Sequence, residues 1–477
     1  MNHEIELKLE VRPEAAERLV RKSWLHRSQC KSAHQISTYY DTPDQKLRKR
    51  GYTLRVRSVS GRFIQTVKSL DRGTGLFQRG EWEYETNGPG PDGEKLTSTP
   101  LAGFEVDQLE PVITSDVKRT AFRLKPNGAE IELDIDQGRL TAGGEDHAIS
   151  EVEIELLRGD PASAIKIARR ISSQVPVKLG VMSKAERGFA LARGTLGRVT
   201  KAEAVKIDAG MTVAEGFAAI VNACLRHFRL NEEIISERRK PEALHQSRVA
   251  MRRLRAALSL FRTAIADEEF SHIRGELKWI TSLLGDARNL DVYLERDLPE
   301  RERRTLRKRR EAVYDKVIEA IDSSRFRSLM IDLVAWAALG KWRGSAAASG
   351  PLQPYVTRRI DRLWRKLHSA RRVDHMADEE RHRLRILIKK LRYALEFVQA
   401  LHVSEGPRQK LFAEAVEKLQ EELGSLNDAA VARTMGEATT WLLEPAGLSE
   451  TEEFSLDEAD VALKQLRRIG PYWRTAA

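Results

Sequence analysis

The sequence predicts an α+β protein of more than one domain. An N-terminal antiparallel sheet, closed and charged inside, is followed by an all-α part of two similar helical bundles. Three observations carry this. Up to about residue 195, charged and apolar residues alternate with a period of two. From about Thr212 onward the pattern is helical and stays so. Within the helical part, two stretches resemble each other at a nearly fixed offset.

The first strand is MNHEIELKLEV, where Glu4, Glu6, Lys8 and Glu10 alternate with Ile5, Leu7, Leu9 and Val11. Successive side chains of a strand point to opposite faces, so the four charges share one face. The pattern returns at Thr53, Arg55 and Arg57, then at Thr66 and Lys68. It recurs with Arg79, Glu81, Glu83 and Glu85, with Glu130, Glu132, Asp134 and Asp136, and with Glu151, Glu153 and Glu155. Ser60-Gly61, Gly73-Thr74-Gly75 and the stretch 88–93 separate the strands as turns. Helices are predicted over Pro13 to Trp24 and Pro161 to Ser173. Residues 205–210 read as a linker, and the small-residue and proline stretch 340–354 as a second break.

The stretch from Leu244 aligns with that from Arg381 at an offset of 137 residues. His245 meets His382, Arg248 meets Arg385, and Arg252 and Arg253 meet Lys389 and Lys390. Arg255 meets Arg392 in the same register. LLGDARNLDV from Leu283 then aligns with ELGSLNDAAV from Glu422 at an offset of 139. Two matches in the same order indicate an internal duplication.

The chain has 477 residues, 41% of them hydrophobic, enough for two or three domains with cores of their own. A net charge of +11 in so mixed a chain points to local basic patches for an anion rather than a basic tail. Cys30 and Cys224 are too few and too far apart for a disulfide framework or a zinc site. No apolar signal region opens the chain, and no run approaches a membrane span. The expected setting is cytoplasmic, without a membrane partner.

Charge sign segregates strand by strand, although like charges on adjacent strands repel. Carboxylates gathered on one face make sense if they converge on divalent cations, because Mg²⁺ and Mn²⁺ prefer hard oxygen ligands. Basic strands make sense if they face a multiply charged oxyanion such as a phosphate chain. A closed sheet with a charged interior satisfies both. In the helical part, His245, Arg248 and Arg252 lie on one helix face, and His382, Arg385 and Lys389 repeat the arrangement. A basic stripe is commonly a solvated helix face, but its duplication in register favours an anion site. The basic runs 301–310 and 358–372 are less specific.

HEIELKLEV resembles the ExExK signature of the CYTH superfamily, the triphosphate tunnel metalloenzymes. The segment from Tyr39 (YYDTPDQKLRKRGYTLRVR), then TVKS, KRTAFRL, ELDIDQG, SEVEIEL and SKAERG follow in family order over about residues 1–195. The resemblance implies an antiparallel tunnel barrel of about eight strands that acts on inorganic triphosphate, thiamine triphosphate or nucleotides. It implies that Glu4, Glu6, Asp136, Glu151 and Glu153 bind divalent metal, Mg²⁺ or Mn²⁺, as two ions. It implies that Lys8, Arg55, Arg57, Lys68, Arg119 and Lys184 hold the phosphate chain, with Arg79 beside them. Lys8, with Glu4 and Glu6, is the candidate for chemistry, either as phosphate ligand or as a base for water.

HxxRVxxRRLR and HxxRIxxKKLRY, followed by LGDARNLDV and LGSLNDAAV, resemble the CHAD helical domain. Asn289 stands where that pattern has aspartate. The resemblance implies that His245, Arg248, Arg252, Arg253, Arg255, His382, Arg385, Lys389, Lys390 and Arg392 bind inorganic polyphosphate. The expected division is 1–198 for the tunnel domain, 199–211 for a linker and 212–475 for the helical domain, with repeats over 212–340 and 355–475. The leading expectation is a metal-dependent inorganic triphosphatase that also binds longer polyphosphate, cytoplasmic and associated with polyphosphate granules. A nucleoside or thiamine triphosphatase, an adenylate cyclase, and a non-catalytic granule-targeting protein are the alternatives. Nucleic-acid binding is disfavoured, because the basic motifs contain few aromatics.

Overall fold

A computed structural model describes residues 2–26, 28–70, 77–401, 406–438 and 449–474. Side chains are described for these residues except 2–4, 77–79, 425–438 and 449–455. Among the described residues, nine strands form one antiparallel sheet: β1 Asn2–Val11, β2 Gln29–Asp41, β3 Tyr52–Val59, β4 Arg62–Ser69, β5 Phe77–Thr86, β6 Glu110–Leu124, β7 Glu130–Ala142, β8 Glu145–Arg158 and β9 Val177–Leu179. Their order is β5-β4-β3-β2-β6-β7-β8-β1-β9, and an added β1–β5 pairing closes the ring. β1 gives one edge to β8 through Ile5–Glu10. Its other edge takes β5 through Asn2–Glu6 and then β9 through Leu9–Val11. Eight strands therefore close the barrel, as expected, and the short β9 extends it.

The predicted turn at Ser60-Gly61 joins β3 to β4 with both residues at positive φ, 51° and 77°. Two consecutive positive φ values define the type I′ turn, whose twist suits a tight hairpin. Gly143-Gly144 does the same between β7 and β8, at 60° and 79°. The predicted turn at Gly73-Thr74-Gly75 lies outside the described residues.

The apolar parity of the strands faces outward and is covered. Leu7 and Leu9 of β1 are fully buried. α1 (Pro13–Val20) and α5 (Ala162–Gln174) pack on this side of the barrel. Leu54 and Val67 pack with Leu47 of α3 (Lys46–Lys49) and Leu96 of α4 (Gly93–Leu96). The single helix expected over Pro13 to Trp24 is instead two, α1 and α2 (Ser23–His26). The break buries Leu25 and sets Trp24 against α5. There Arg170 lies 4.2 Å from the indole ring, and Gln174 accepts the indole N–H at 3.0 Å. α6 (Lys184–Ala192) follows β9.

The helical part comprises α7 Val213–Arg238, α8 Pro241–Ile265, α9 Phe270–Leu294, α10 Glu300–Asp322, α11 Ser324–Leu339, α12 Ala346–Ser349, α13 Leu352–His368, α14 Asp378–Phe397, α15 Gly406–Ala438 and α16 Ser449–Ile469. The two aligned stretches fall on α8 and α14, and then on α9 and α15. The duplication is thus one of elements in the same order. The chain forms two compact units, one of residues 1–203, 221–252 and 269–341, the other of residues 204–220, 253–268 and 342–477. The first holds the barrel together with most of α7, half of α8, and α9 to α11. No helix among the described residues is long and apolar enough to cross a membrane.

Candidate active site: an ion-lined tunnel

Register turns alternation into a site, because residues directly opposite on paired strands share a face. One row across the barrel wall reads Arg119, Asp136, Glu151 and Glu10. The next reads Asp134, Glu153 and Lys8, and a third Glu132, Glu155 and Glu6. Carboxylates therefore stand opposite carboxylates at Asp136/Glu151 and Asp134/Glu153, which is destabilising unless cations intervene.

The cations come from both the wall and α6. Ser183 caps α6 in a reciprocal capping box with Glu186, which fixes where the helix begins. Lys184, its first residue, points inward. Its Nζ donates to Asp136 Oδ2 at 2.7 Å, to Glu153 Oε1 at 3.0 Å and to Glu151 Oε1. One turn on, Arg187 donates to Glu151. Arg119 spans Asp136 with two bonds of 2.7 and 2.6 Å and also reaches Glu153 at 2.6 Å and Asp134. Lys8 Nζ lies 2.5 Å from Glu153 and 3.1 Å from Glu6.

These groups are desolvated, and burial penalises their charged forms. For Asp136, Glu151 and Glu153 burial pushes the carboxyl upward, but neighbouring cations, led by Lys184 or Arg187, pull each below its ordinary value. Asp134 goes the other way. Burial outweighs Arg119 there and raises its carboxyl to about 7. For Lys8, burial lowers the ammonium, but Glu153 and Glu6 outweigh it and hold it above the usual value.

Farther round the wall, Arg55 and Arg57 sit opposite Tyr39 and Ser37. Tyr39 is buried, and the phenol is lowered despite desolvation because Arg55, Lys184 and Arg57 surround it. Burial, then repulsion from Arg55 and Arg119, lowers Arg57 to about 10. Lys68 pairs with Glu81 at 3.0 Å. The same interior face changes character toward one end. Tyr39, Ile113, Val117, Leu140, Ala142 and Ile149 pack there against Ala185 and Phe189 of α6. The helix fits because residue 188 is glycine: a Cβ there would lie 2.5 Å from Ile113.

The donor set fits a hard divalent cation. Oxygens of Asp136, Glu151 and Glu153 lie within 4.8 Å of one another. Asp134 Oδ1 is buried without a hydrogen-bond partner, and Glu6 Oε1 is buried with the Lys8 ammonium 3.1 Å away. Such oxygens are costly to leave unpaired and suit Mg²⁺ or Mn²⁺.

Of the residues picked from sequence, the structure gathers Glu6, Lys8, Arg119, Asp136, Glu151, Glu153 and Lys184 into one network. Arg55, Arg57 and Lys68 lie on the neighbouring wall. The side chains of Glu4 and Arg79 lie outside the described residues, although their backbones pair with each other. Arg187 and Tyr39 were missed. The spacing of Lys184 and Arg187, three apart on one helix, was the available signal for Arg187.

In the helical part, His245 is half-buried with Nδ1 lacking a hydrogen bond. Burial, then Arg288, Arg252 and Arg248, hold its imidazolium below 6.5 after allowing for Glu242. Arg248 and Arg252 are half-buried and Arg255 is exposed. His382 and Lys390 are exposed, and Arg385, Lys389 and Arg392 are half-buried. Arg392 donates to Gln420 at 2.7 Å. Arg253 differs: it is 1% exposed, lies 2.9 Å from Glu396 and faces the ring of Phe397. That placement makes it a core ion pair with no surface to offer a polyanion. Lys390 joins Arg359, Arg362, Arg365 and Lys366 around a cavity of about 600 Å³. The run 358–372 thus contributes more than a solvated face. In the run 301–310, Arg310 is held by Asp291 at 2.7 Å.

The family model for the CYTH domain matches residues 2–189, and that for the CHAD domain matches residues 219–437. The chain therefore carries a CYTH domain followed by a CHAD domain. An inorganic triphosphatase from Haemophilus influenzae is 30% identical over 162 residues, 32% of this chain and 45% of that protein. The chain thus spans less than half the length of this curated relative. Among solved structures, the CHAD domain from the plant Ricinus communis is 29% identical and covers 58% of this chain and 94% of its own, with a TM-score of 0.45. A Hippeastrum protein with a dominant triphosphatase activity is 20% identical and covers 40% and 95%, with a TM-score of 0.31.

Proposed function

We propose that the chain hydrolyses inorganic triphosphate to diphosphate and phosphate within the barrel, in a metal-dependent reaction, and that the helical domain binds longer polyphosphate. The observation that carries this is the buried meeting of Asp136, Glu151 and Glu153 with Lys184, Arg119 and Lys8 on one interior face. In this reading residues 1–198 are the catalytic domain, 199–211 a linker and 212–475 the polyphosphate-binding domain. The enzyme acts in the cytoplasm, beside polyphosphate granules.

Glu4, Glu6, Asp136, Glu151 and Glu153 would hold Mg²⁺ or Mn²⁺, as two ions. Such ions supply charge neutralisation of phosphate oxygens and a water made acidic enough to attack. The rest falls to the chain. Lys8, Arg55, Arg57, Lys68, Arg119 and Lys184 offer donors for the phosphate oxygens, with Arg79 adjoining. An incoming phosphate chain exchanges with the carboxylates for these cations, so the internal ion pairs keep the cations in place beforehand. Electrostatic preorganisation of this kind acts strongly in a water-poor interior. Phosphoryl transfer needs little covalent help from protein, so a cradle of fixed charges suffices. Lys8 is an ammonium held by Glu153 and Glu6, which suits a phosphate ligand rather than a base.

The test is phosphate release from tripolyphosphate, ATP and thiamine triphosphate with Mg²⁺, Mn²⁺ or chelator. Preferred turnover of tripolyphosphate, abolished by chelator, is expected. No turnover of any of the three would sink the enzyme reading, and preference for ATP would move the substrate to nucleotides. For the helical domain, wild-type chain is expected to retard long polyphosphate on a gel, and Arg252→Ala with Lys389→Ala to weaken that.

A further inference from the structure

We propose that α7, the first helix of the helical domain, is a positioning element of the tunnel. Its Arg226 and Arg229 clamp the link between β9 and α6, so that Lys184 meets the three carboxylates. The inference rests on the reading of the tunnel as a triphosphatase site.

Arg226 and Arg229 are three residues apart and share a helix face. They are 9% and 6% exposed, although guanidinium groups are among the costliest side chains to bury. Their burial is compensated by what they hold. Arg229 Nε donates to the carbonyl of Leu179, the last residue of β9, at 2.7 Å. Its two remaining nitrogens reach Glu10 of β1 at 2.8 Å and Glu232 at 2.5 Å. Arg226 donates to the Val181 carbonyl and, at 3.1 Å, to Glu186 Oε1. Between the two carbonyls, Gly180 N donates to the Lys8 carbonyl at 2.9 Å. A Cβ at Gly180 would lie 2.8 Å from Lys8 Cβ, so only glycine lets the link approach β1 this closely.

Glu186 ties the clamp to the active site. Its Oε2 accepts the Ser183 N–H at 2.8 Å and so caps α6, while its Oε1 is held by Arg226. Lys184 lies between Ser183 and Glu186 and opens the helix that their reciprocal cap fixes. The hydrogen bonds of Arg226 and Arg229 go to the link, to Glu186, Glu10 and Glu232, so both act on the tunnel through the link. A second face of α7 straps the chain that follows α6, since Asn231 Nδ2 donates to the Thr200 carbonyl at 2.8 Å and Asn231 Oδ1 accepts the Thr200 N–H at 3.0 Å. All of these residues belong to one compact unit. This part of α7 is therefore a structural part of the unit that holds the tunnel.

The experiment uses the full chain with Arg226→Ala, Arg226→Lys, Lys184→Ala and the double variant Arg226→Ala/Lys184→Ala. A displacement of about 1 Å at a reacting centre costs on the order of 100-fold in rate. Arg226→Ala should lower kcat/KM for tripolyphosphate by about 10- to 100-fold, and Arg226→Lys by less. On the Lys184→Ala background the same change should add under about 2-fold, because the two act as one unit. Backbone hydrogen exchange over residues 184–190 should quicken by about 10-fold or more in Arg226→Ala, with β6, β7 and β8 unchanged. Multiplying effects in the double variant, or unaltered exchange in α6, would overturn the clamp. If Arg226→Ala does not fold, Arg226→Lys carries both readouts. A wild-type chain without turnover would remove the triphosphatase reading alone, and the exchange measurement would still decide the clamp.

Discussion

Replacing Lys184 by methionine isolates the internal counter-ion of the acidic cluster. Methionine keeps the unbranched stem and removes the charge. The ammonium lies 2.7 Å from Asp136 and 3.0 Å from Glu153 and also bonds Glu151. Removing it leaves carboxylates within 4.8 Å of one another with Arg119, Lys8 and Arg187 as partners. Breaking a buried ion pair from one side costs about 3–5 kcal/mol. In chelator the variant should melt roughly 10 °C below wild type. Added Mn²⁺ should then act unequally. Saturation at 100 times the dissociation constant adds about 2.7 kcal/mol to a site that needs no rearrangement. Wild type must first release Lys184 from the same oxygens and should gain less. Calorimetric melts in chelator and in Mn²⁺ measure both quantities. A variant as stable as wild type in chelator, or one that gains no more from Mn²⁺ than wild type does, would refute the idea that Lys184 stands where a cation belongs.

Phe189→Ala empties the apolar end of the barrel and should cost about 3–5 kcal/mol of stability in urea unfolding. Gly188→Ala pushes a methyl against Ile113 and should cost about 1–3 kcal/mol, with Gly188→Ala/Ile113→Val recovering part of it. Glu232 is held below its usual 4.5 because Arg229 and Lys178 outweigh burial. Its contribution is complete above about pH 4.5 and is lost as pH falls through the lower folded value. Urea midpoints should drop in that acid window, and Glu232→Gln should flatten the drop. His245 is held below 6.5. Its neutral form therefore favours the fold above that pH, and the contribution is lost as pH falls through the depressed folded value. A bound polyanion reverses the bias, so polyphosphate affinity should rise as pH is lowered from 8 through 6.5. A His245→Gln chain with the same pH slope as wild type would show that His245 does not face the ligand.

The wall of the site was legible because β-strand parity needs no tertiary knowledge. Spacing placed Glu6 with Lys8, Asp134 with Asp136, and Glu151 with Glu153 on the charged face of each strand, and the family resemblance brought the strands together. The duplicated helices were legible for a similar reason, since register at a fixed offset survives without structure. What alternation cannot reveal is which part of a face is covered. Tyr39, Val117 and Leu140 share the interior parity with the charged residues, yet they line an apolar end because α6 packs into it. Arg187 enters the site by that same helix and carries no period-two signal. Arg253 shows the converse limit. It lies beside Arg252 in a basic run, but the helix turns it by about 100° into the core against Glu396. Only the partner helix decides which arginine of such a run meets solvent.

The position of β1 bears on how the chain matures during synthesis. As it leaves the ribosome, β1 finds none of its partners nearby: β5, β8 and β9 begin at residues 77, 145 and 177. Late, long-range pairing of this kind is slow and leaves edges exposed. The hairpin of β7 and β8 forms earlier, and it sets Asp134 opposite Glu153 and Asp136 opposite Glu151. Lys184 and Arg187, which neutralise that wall, are translated about thirty to fifty residues later, and Arg226 later still. The nascent barrel therefore passes through a stage in which its acidic wall has Arg119 and Lys8 but not yet Lys184 and Arg187. Until α6 is made, Glu151 waits for both of the cations it is bonded to, Lys184 and Arg187.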